Sequence, residues 1–225
     1  MRRMATMKSL IGLGAAAAVL MLVAPAMAEV RVGAVGGVNL SSLSTDEQGV
    51  KLSTLTRWGA GGALELDLND YVAVATRPMF IGRGTDIETL AGVGDVSAQG
   101  KDSYARVELG YIELPLLFKY SFPTEGVRPY LIAGPSLGLR RSATAVSKFG
   151  SAPEEREDSK DDFKSTDFSL WAGAGLGKNI GSAYVFAEGL YSLGLRNINK
   201  DASEGSGKNR GWQFLAGVTL RLGSR

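Results

Sequence analysis

The chain has 225 residues, 30 of them Gly, and contains neither Cys nor His. This length suits a single all-β domain, and the missing residue types exclude disulfides, His or Cys metal sites and His-assisted nucleophiles. The charges nearly balance, with 25 Lys and Arg against 23 Asp and Glu, so the composition predicts no nucleic-acid partner.

Residues 1–28 have the three parts of a secretory signal peptide. Three basic residues precede an apolar run over 10–24, which closes in Pro-Ala-Met-Ala. This pattern predicts cleavage before Glu29, with an uncleaved anchor helix as the alternative. Cleavage leaves 22 bases against 23 acids, a net charge of −1, and defines 29–225 as the mature domain.

Eight stretches of the mature chain alternate small or apolar residues with polar ones, which is typical of strands that have one apolar face. The connections after the first, third, fifth and seventh stretches are long and polar, whereas the other three are short. The predicted strands are 30–41, 57–68, 71–82, 104–120, 128–141, 167–178, 183–196 and 210–222.

Two of these strands contain an irregularity. Pro78 lies inside the third and has no N–H to donate to a sheet ladder. In the fourth, Val107 and Leu109 occupy odd positions, whereas Ile112 and Leu114 occupy even ones. This change of phase predicts a β-bulge near Gly110.

The stretch Tyr111–Tyr120, YIELPLLFKY, has a continuous apolar face of even-numbered residues, and its other face carries Glu113 and Lys119. A water-soluble sheet buries its apolar face, whereas a membrane barrel turns that face to lipid. The alternating connection lengths favour the second arrangement, since all long loops then lie at one end. We therefore predict an all-β, eight-stranded antiparallel up-and-down transmembrane β-barrel with both termini at the short-turn end. Aromatic residues at the membrane boundaries are then Trp58, Tyr71, Tyr120, Phe122 and Trp212.

The polar faces of the strands would project charges of both signs into the barrel. An eight-stranded barrel is only wide enough for side chains to fill its interior, so these charges should pair and close the lumen. The predicted lumen charge network consists of Arg31, Arg57, Glu65, Asp67, Arg77, Glu113, Lys119, Arg140, Glu188, Arg196 and Arg221, with Asp167 facing the same way.

Catalytic and cofactor signals are missing. The segment 173–178, GAGLGK, resembles a phosphate-binding loop only superficially, since its spacing is wrong and Asn179 follows where a P-loop has Ser or Thr. No helix follows it to bind an anion. We predict that the protein is not an enzyme and binds no cofactor or metal.

Four segments together resemble the outer-membrane β-barrel family of PorT-like proteins, often labelled porin-family. They are YIELPLLFKY at 111–120, RPYLIAGPSLGL at 128–139, DFSLWAGAGLG at 167–177 and FAEGLYSLGLRNI at 186–198. The resemblance implies an eight-stranded barrel of the cell outer membrane. It implies no single activity and supplies no catalytic residues.

These inferences predict a monomeric outer-membrane barrel with a closed, charge-filled lumen and a structural or surface-binding role. Its expected partners are outer-membrane lipid, the barrel insertion machinery and an extracellular ligand at the loops. Two alternatives remain, a narrow pore for small solutes and a soluble periplasmic barrel that binds an apolar ligand. Adhesion through the acidic segment 153–162 is a further possibility. The predicted loops are 42–53, 84–103, 142–165 and 197–209.

Overall fold

A computed structural model gives the structure of most of residues 29–225. The predicted signal peptide, 1–28, lies outside the described residues, as do parts of three predicted loops. Within the described part, no helix is long and apolar enough to span a membrane. The residues described are 29–44, 51–90, 94–99, 103–200 and 207–222.

In these ranges twelve strands form one antiparallel sheet. A single 3₁₀ turn, Val96–Gln99, lies between the fifth and sixth strands. The strands are β1 Glu29–Ser44, β2 Lys51–Asp67, β3 Val72–Thr76, β4 Met79–Leu90, β5 Gly94–Asp95, β6 Tyr104–Pro115, β7 Leu117–Ser121, β8 Arg128–Lys148, β9 Glu155–Asp158, β10 Thr166–Ile180, β11 Ala183–Gly194 and β12 Lys208–Leu222.

The sheet closes on itself, because the last strand pairs with the first. β1 and β12 are in register from Val30 opposite Leu222 to Ser44 opposite Lys208. β2 pairs with both β3 and β4, and β8 pairs with both β6 and β7. β3 and β4 therefore share one place in the ring, and β6 and β7 share another. Counted in this way, the ring has eight places. The predicted closed antiparallel barrel is confirmed.

The two divided places have different causes. Arg77 and Pro78 separate β3 from β4, and Pro78 still accepts a hydrogen bond from the Gly62 amide through its carbonyl, at 2.9 Å. The interruption expected at this proline is confirmed. Leu116 separates β6 from β7, and its amide donates to the Pro135 carbonyl at 2.8 Å. The wall is thus hydrogen-bonded through both interruptions.

Apolar side chains cover the outside of the barrel, and charged ones lie inside. In the Tyr111–Tyr120 stretch, Phe118 is 59% exposed, whereas Glu113 and Lys119 are 1% and 3% exposed. The predicted orientation of this strand is confirmed, and the inward apolar face that a soluble ligand-binding barrel requires is not found there. Outward apolar residues on other strands include Val32, Val38, Phe80, Leu131, Phe168, Leu170, Leu176, Val185, Leu193, Phe214, Val218 and Leu220.

Three connections, 68–71, 122–127 and 181–182, are short and lie at one end, here called the turn end. Glu29 and Leu222 lie at the same end, since Glu29 pairs with Asp67 beside the 68–71 turn and Leu222 pairs with Val30. The longer connections lie at the opposite end, the loop end, so the predicted alternation is confirmed. The five aromatics predicted for the membrane boundaries are all exposed, three of them on strands and Tyr71 and Phe122 in turn-end connections.

All four predicted loops contain strand residues, since β1 extends to Ser44, β2 begins at Lys51 and β12 begins at Lys208. The larger differences lie in the other two loops. β4 continues to Leu90 and β8 to Lys148, and β9 inside the acidic segment pairs with β8. The predictions that 84–103 and 142–165 are entirely loop are therefore wrong. These strand extensions pass beyond the apolar wall, so their outward faces are no longer apolar and the alternation that signals a strand is lost.

The bulge predicted in the fourth strand near Gly110 is wrong, because the register shift between Gly110 and Tyr111 arises from an extra residue in the partner strand. The extra residue is Arg141 of β8, because Gly110 pairs with Ser142 and Tyr111 with Arg140. Leu109, Tyr111 and Glu113 of β6 all face inward and are buried, so the strand keeps one phase. The change of apolar phase in β6 reflects an apolar cluster inside the loop end of the barrel. Its members are Leu43, Ile81, Leu109, Tyr111, Ala143 and Ile198.

Candidate functional site in the barrel interior

The interior is built around a buried carboxylate, Glu65 of β2. Its Oε1 accepts a hydrogen bond from Lys119 Nζ at 2.7 Å and lies 3.6 Å from Arg31 Nη1. Its Oε2 is 3.4 Å from Arg77 Nη2. Arg31 also pairs with Asp67. We call Arg31, Glu65, Asp67, Arg77, Lys119 and Glu188 the Glu65 cluster.

Arg77 connects opposite sides of the barrel. It lies between β3 and β4, and its Nη2 donates to Glu188 Oε1 of β11 at 2.9 Å. These strands are four places apart in the ring of eight. Tyr130 of β8 also donates to Glu188 Oε1, at 3.0 Å. The guanidinium of Arg77 lies 4.8 Å from the ring centre of Phe186, so it also has a cation–π partner.

Lys119 is enclosed by aromatic rings as well as by its acid. Its Nζ lies 4.3 Å from the ring centre of Tyr130 and 4.5 Å from that of Tyr184. Contacts of this kind stabilise a desolvated ammonium group. Lys119 and Arg77 are therefore fixed by both charge and packing.

A second set of contacts lies closer to the loop end. Arg83 of β4 pairs with Glu113 of β6, Nε to Oε1, at 3.0 Å. Ser136 donates to the other oxygen of Glu113 at 2.7 Å. Arg83 Nη1 also donates to Ser192 of β11 at 3.0 Å, again across the full ring.

A third set includes Asp167, which sequence reasoning had placed in the lumen. The side-chain amide of Asn209 donates to Asp167 Oδ2 at 2.8 Å and to Tyr111 Oη at 3.3 Å. Tyr111 on β6 and Asn209 on β12 are also four places apart. Side-chain contacts therefore cross the ring at three levels.

The structure brings seven of the eleven predicted network residues into the interior and leaves four elsewhere. Arg221 pairs with Glu29 at the turn-end rim, Nε to Oε1, at 2.8 Å. Arg196 is exposed and donates to Thr166 Oγ1 at 2.6 Å. Arg140 donates to backbone carbonyls of the loop-end segment. The seven interior residues are Arg31, Glu65, Asp67, Arg77, Glu113, Lys119 and Glu188.

Arg57 lies on the outer wall, so its predicted place in the lumen is wrong. The β2–β4 register shifts between Thr54 and Gly59, where four residues of β2 face three of β4. The alternation is interrupted only at this bulge, because Leu55 and Gly59 on either side of Arg57 are both buried. A Cβ built on Gly82, which follows outward Phe80 on the same face, would lie 2.7 Å from Arg57 Cβ.

Arg83 is the main interior residue that sequence reasoning missed. The third predicted strand ended at Gly82, because a Gly- and Thr-rich segment follows. The odd-numbered face of that strand includes Arg77 and Ile81, and Arg83 continues it. Continuing the alternation of that strand two residues beyond Ile81 would have placed Arg83 inside the barrel.

Among the residues described, no group of three or more acidic side chains is arranged to hold a metal ion. The carboxylates Glu65, Glu113 and Glu188 each contact a guanidinium or ammonium group. The arrangement neutralises buried charge and ties the strands together.

Comparisons with known proteins agree with this architecture. The sequence model of the family described as "Outer membrane protein beta-barrel domain" matches residues 24–200. A search of the curated proteins finds no match.

Several solved structures are similar to the chain. Neisserial surface protein A is 15% identical with a TM-score of 0.47, and the match covers 86% of this chain and 97% of that one. OprG from Pseudomonas aeruginosa is 16% identical with a TM-score of 0.44, covering 88% and 96%. The attachment invasion locus protein of Yersinia pestis is 16% identical with a TM-score of 0.39, covering 86% and 99%.

Proposed function

Because the chain belongs to the outer membrane protein beta-barrel domain family, we propose that it is a closed integral barrel of the outer membrane with a structural or surface-binding role at its loop end. Lipid covers its apolar wall, the barrel insertion machinery assembles it, and it acts as a monomer. Export by a cleaved signal peptide at 1–28 is part of the proposal. The narrower PorT-like assignment stays a prediction.

The Arg77–Glu188 ion pair is the observation that supports the proposal of a closed lumen. It spans opposite sides of the ring, and neither side chain is exposed. A permeating ion would have to separate these charges. Removing one partner of a buried pair costs about 3–5 kcal/mol, so the separated state is rarely populated.

We also propose that the protein is not an enzyme and has no cofactor. A general acid or base must exchange a proton with a substrate that reaches it. Glu65 and Glu113 are 1% exposed. Cations contact both oxygens of Glu65, and Arg83 and Ser136 each contact one oxygen of Glu113. Both carboxylates therefore serve as counterions.

Single-channel recording in planar bilayers tests the closed lumen. The refolded chain 29–225 is expected to insert without discrete conductance steps. Heat-modifiable migration in detergent gels verifies folding of each sample. Stable unitary conductance in the folded protein would reject the closed lumen in favour of the narrow pore.

The loop end has features suited to surface binding. β9 pairs with β8 beyond the apolar wall, and Arg140 donates to the carbonyls of Lys160, Phe163 and Lys164 at 2.9 to 3.1 Å. The acidic segment is thus held against a sheet. Deletion of 153–162 is expected to lower adhesion of cells to immobilised matrix proteins. Equal adhesion with equal surface expression would leave only the structural role.

A further inference from the structure

A depression of about 280 Å³ lies on the outer wall near the loop end, between β2, β4, β6 and β8. We call it the Arg57–Arg141 depression. Its principal lining residues are Arg57, Trp58, Phe80, Gly82, Gly110 and Arg141.

The depression exists because two glycines form its floor. A Cβ on Gly82 would lie 2.7 Å from Arg57 Cβ, and one on Gly110 would lie 2.4 Å from Ser142 Oγ. Outward neighbours on the same strands are large, with Phe80 61% exposed. The wall therefore falls away at the two glycines while aromatic side chains stand beside them.

The depression lies at the edge of the apolar wall. Towards the loop end, the outward residues change from Phe80 to Gly82 on β4 and from Leu139 to Arg141 on β8. On β2, Trp58 is followed by Arg57. Trp residues concentrate where the hydrocarbon meets the lipid headgroups, so both arginines are at headgroup depth.

The depression has an excess of positive charge. Glu108 is shared by three guanidiniums, those of Arg57, Arg106 and Arg156, at 3.2, 2.8 and 3.8 Å. Arg141 is exposed and has no acidic partner in the described ranges. Arg57 and Arg141 both line the depression, and no acidic residue is among its lining residues.

We propose that the Arg57–Arg141 depression binds the phosphate of an anionic glycolipid of the outer leaflet. Guanidinium groups bind phosphate through paired, charge-assisted hydrogen bonds. Trp58 and Phe80 then contact the first carbons of the acyl chains. The long-loop end of such barrels faces the outside of the cell, where the leaflet is rich in phosphorylated glycolipid. The proposal rests on lipid covering the apolar wall and is independent of the closed lumen and of the loops.

Native mass spectrometry of the refolded barrel in detergent micelles tests this site with bisphosphorylated lipid A. The wild type is expected to retain one lipid A more tightly than its dephosphorylated form or phosphatidylglycerol. The variant Arg57→Gln/Arg141→Gln should weaken retention by about tenfold or more, since hydrogen bonds to charged groups are lost.

Two further variants separate the site from general effects. Ser142→Phe keeps both arginines and fills the depression, and it should also weaken retention by about tenfold. Arg210→Gln removes an exposed arginine beyond Trp212 on β12, outside the depression, and should bind like the wild type. Each variant must show heat-modifiable migration.

Equal retention of lipid A by the folded wild type, the double arginine variant and Ser142→Phe would overturn the proposal. Equal binding of the dephosphorylated lipid would show that the phosphate is not recognised. Equal binding of phosphatidylglycerol would reject the glycolipid as the occupant. None of these outcomes bears on conductance or adhesion.

Discussion

Arg77 and Glu188 are on opposite walls of the barrel and are joined by a 2.9 Å ion pair through its centre. Around the ring of strands, the two residues are four places apart in either direction. The pair therefore constrains the width of the barrel directly, whereas the hydrogen bonds of the sheet constrain only neighbouring strands. It also leaves neither charge in contact with water.

Replacing one member of this pair should destabilise the barrel strongly. Glu188→Ala leaves Arg77 with Glu65, at 3.4 Å, as its one remaining acidic partner among the described residues. This variant is expected to lower the free energy of unfolding by about 3–5 kcal/mol. Denaturant titration in micelles measures this change. Lys178→Gln, at an exposed position of β10, is the control and should change stability by less than about 0.5 kcal/mol.

The double variant Arg77→Met/Glu188→Met should lose less free energy of unfolding than the single variants Arg77→Met and Glu188→Met lose in sum. The reason is that the double variant leaves neither member of the pair without its partner. Additive losses would show that the two side chains do not act as a pair.

A charge on the outer wall should cost more at the middle of the wall than at its edge. Leu116→Arg is expected to cost about 2–4 kcal/mol, whereas Ile180→Arg beside the turn at Gly181 should cost about 0–1 kcal/mol. The same unfolding titration in phospholipid bilayers measures both. Equal losses at the two positions would contradict the assigned membrane depth.

Two glycines on paired strands should respond differently to alanine. A Cβ on Gly173 would lie 2.0 Å from the carbonyl oxygen of Gly189, whereas a Cβ on Gly189 would meet only the Phe214 ring at 3.7 Å. Gly173→Ala should cost about 1–3 kcal/mol through overpacking. Gly189→Ala should change stability little. Similar unfolding midpoints for the two variants would contradict the close approach of β10 and β11.

Arg140 should protect the segment 159–165 from proteolysis. It donates to three carbonyls of that segment, and each bond contributes about 0.5–1.5 kcal/mol. Arg140→Ala is expected to accelerate tryptic cleavage at Lys160 and Lys164 by about tenfold or more. Arg141→Ala removes the adjacent exposed arginine and should leave the rate unchanged. Equal rates for the two variants would show that Arg140 does not hold the segment.

The period of two was sufficient to predict the barrel and much of its interior. Glu113 and Lys119 were placed correctly because the apolar face of their strand is continuous. Arg57 was misplaced because it lies at a bulge in β2 that interrupts the alternation. The residue types around Arg57 give no sign of this bulge. Arg83 was missed because its strand continues after the apolar face ends. Contacts between distant strands, such as Arg77 with Glu188, depend on the closed ring and have no local signal.

The ion pair between Glu29 and Arg221 has a consequence for assembly. It joins the first and last strands, so it can form only after every intervening strand is in place. Bringing such distant parts of the chain together carries the largest loop-closure entropy and is slow. Amide hydrogens of the β1–β12 pair should therefore become protected from exchange later than those of the β10–β11 hairpin. That later protection would mark the moment at which an open sheet becomes a barrel.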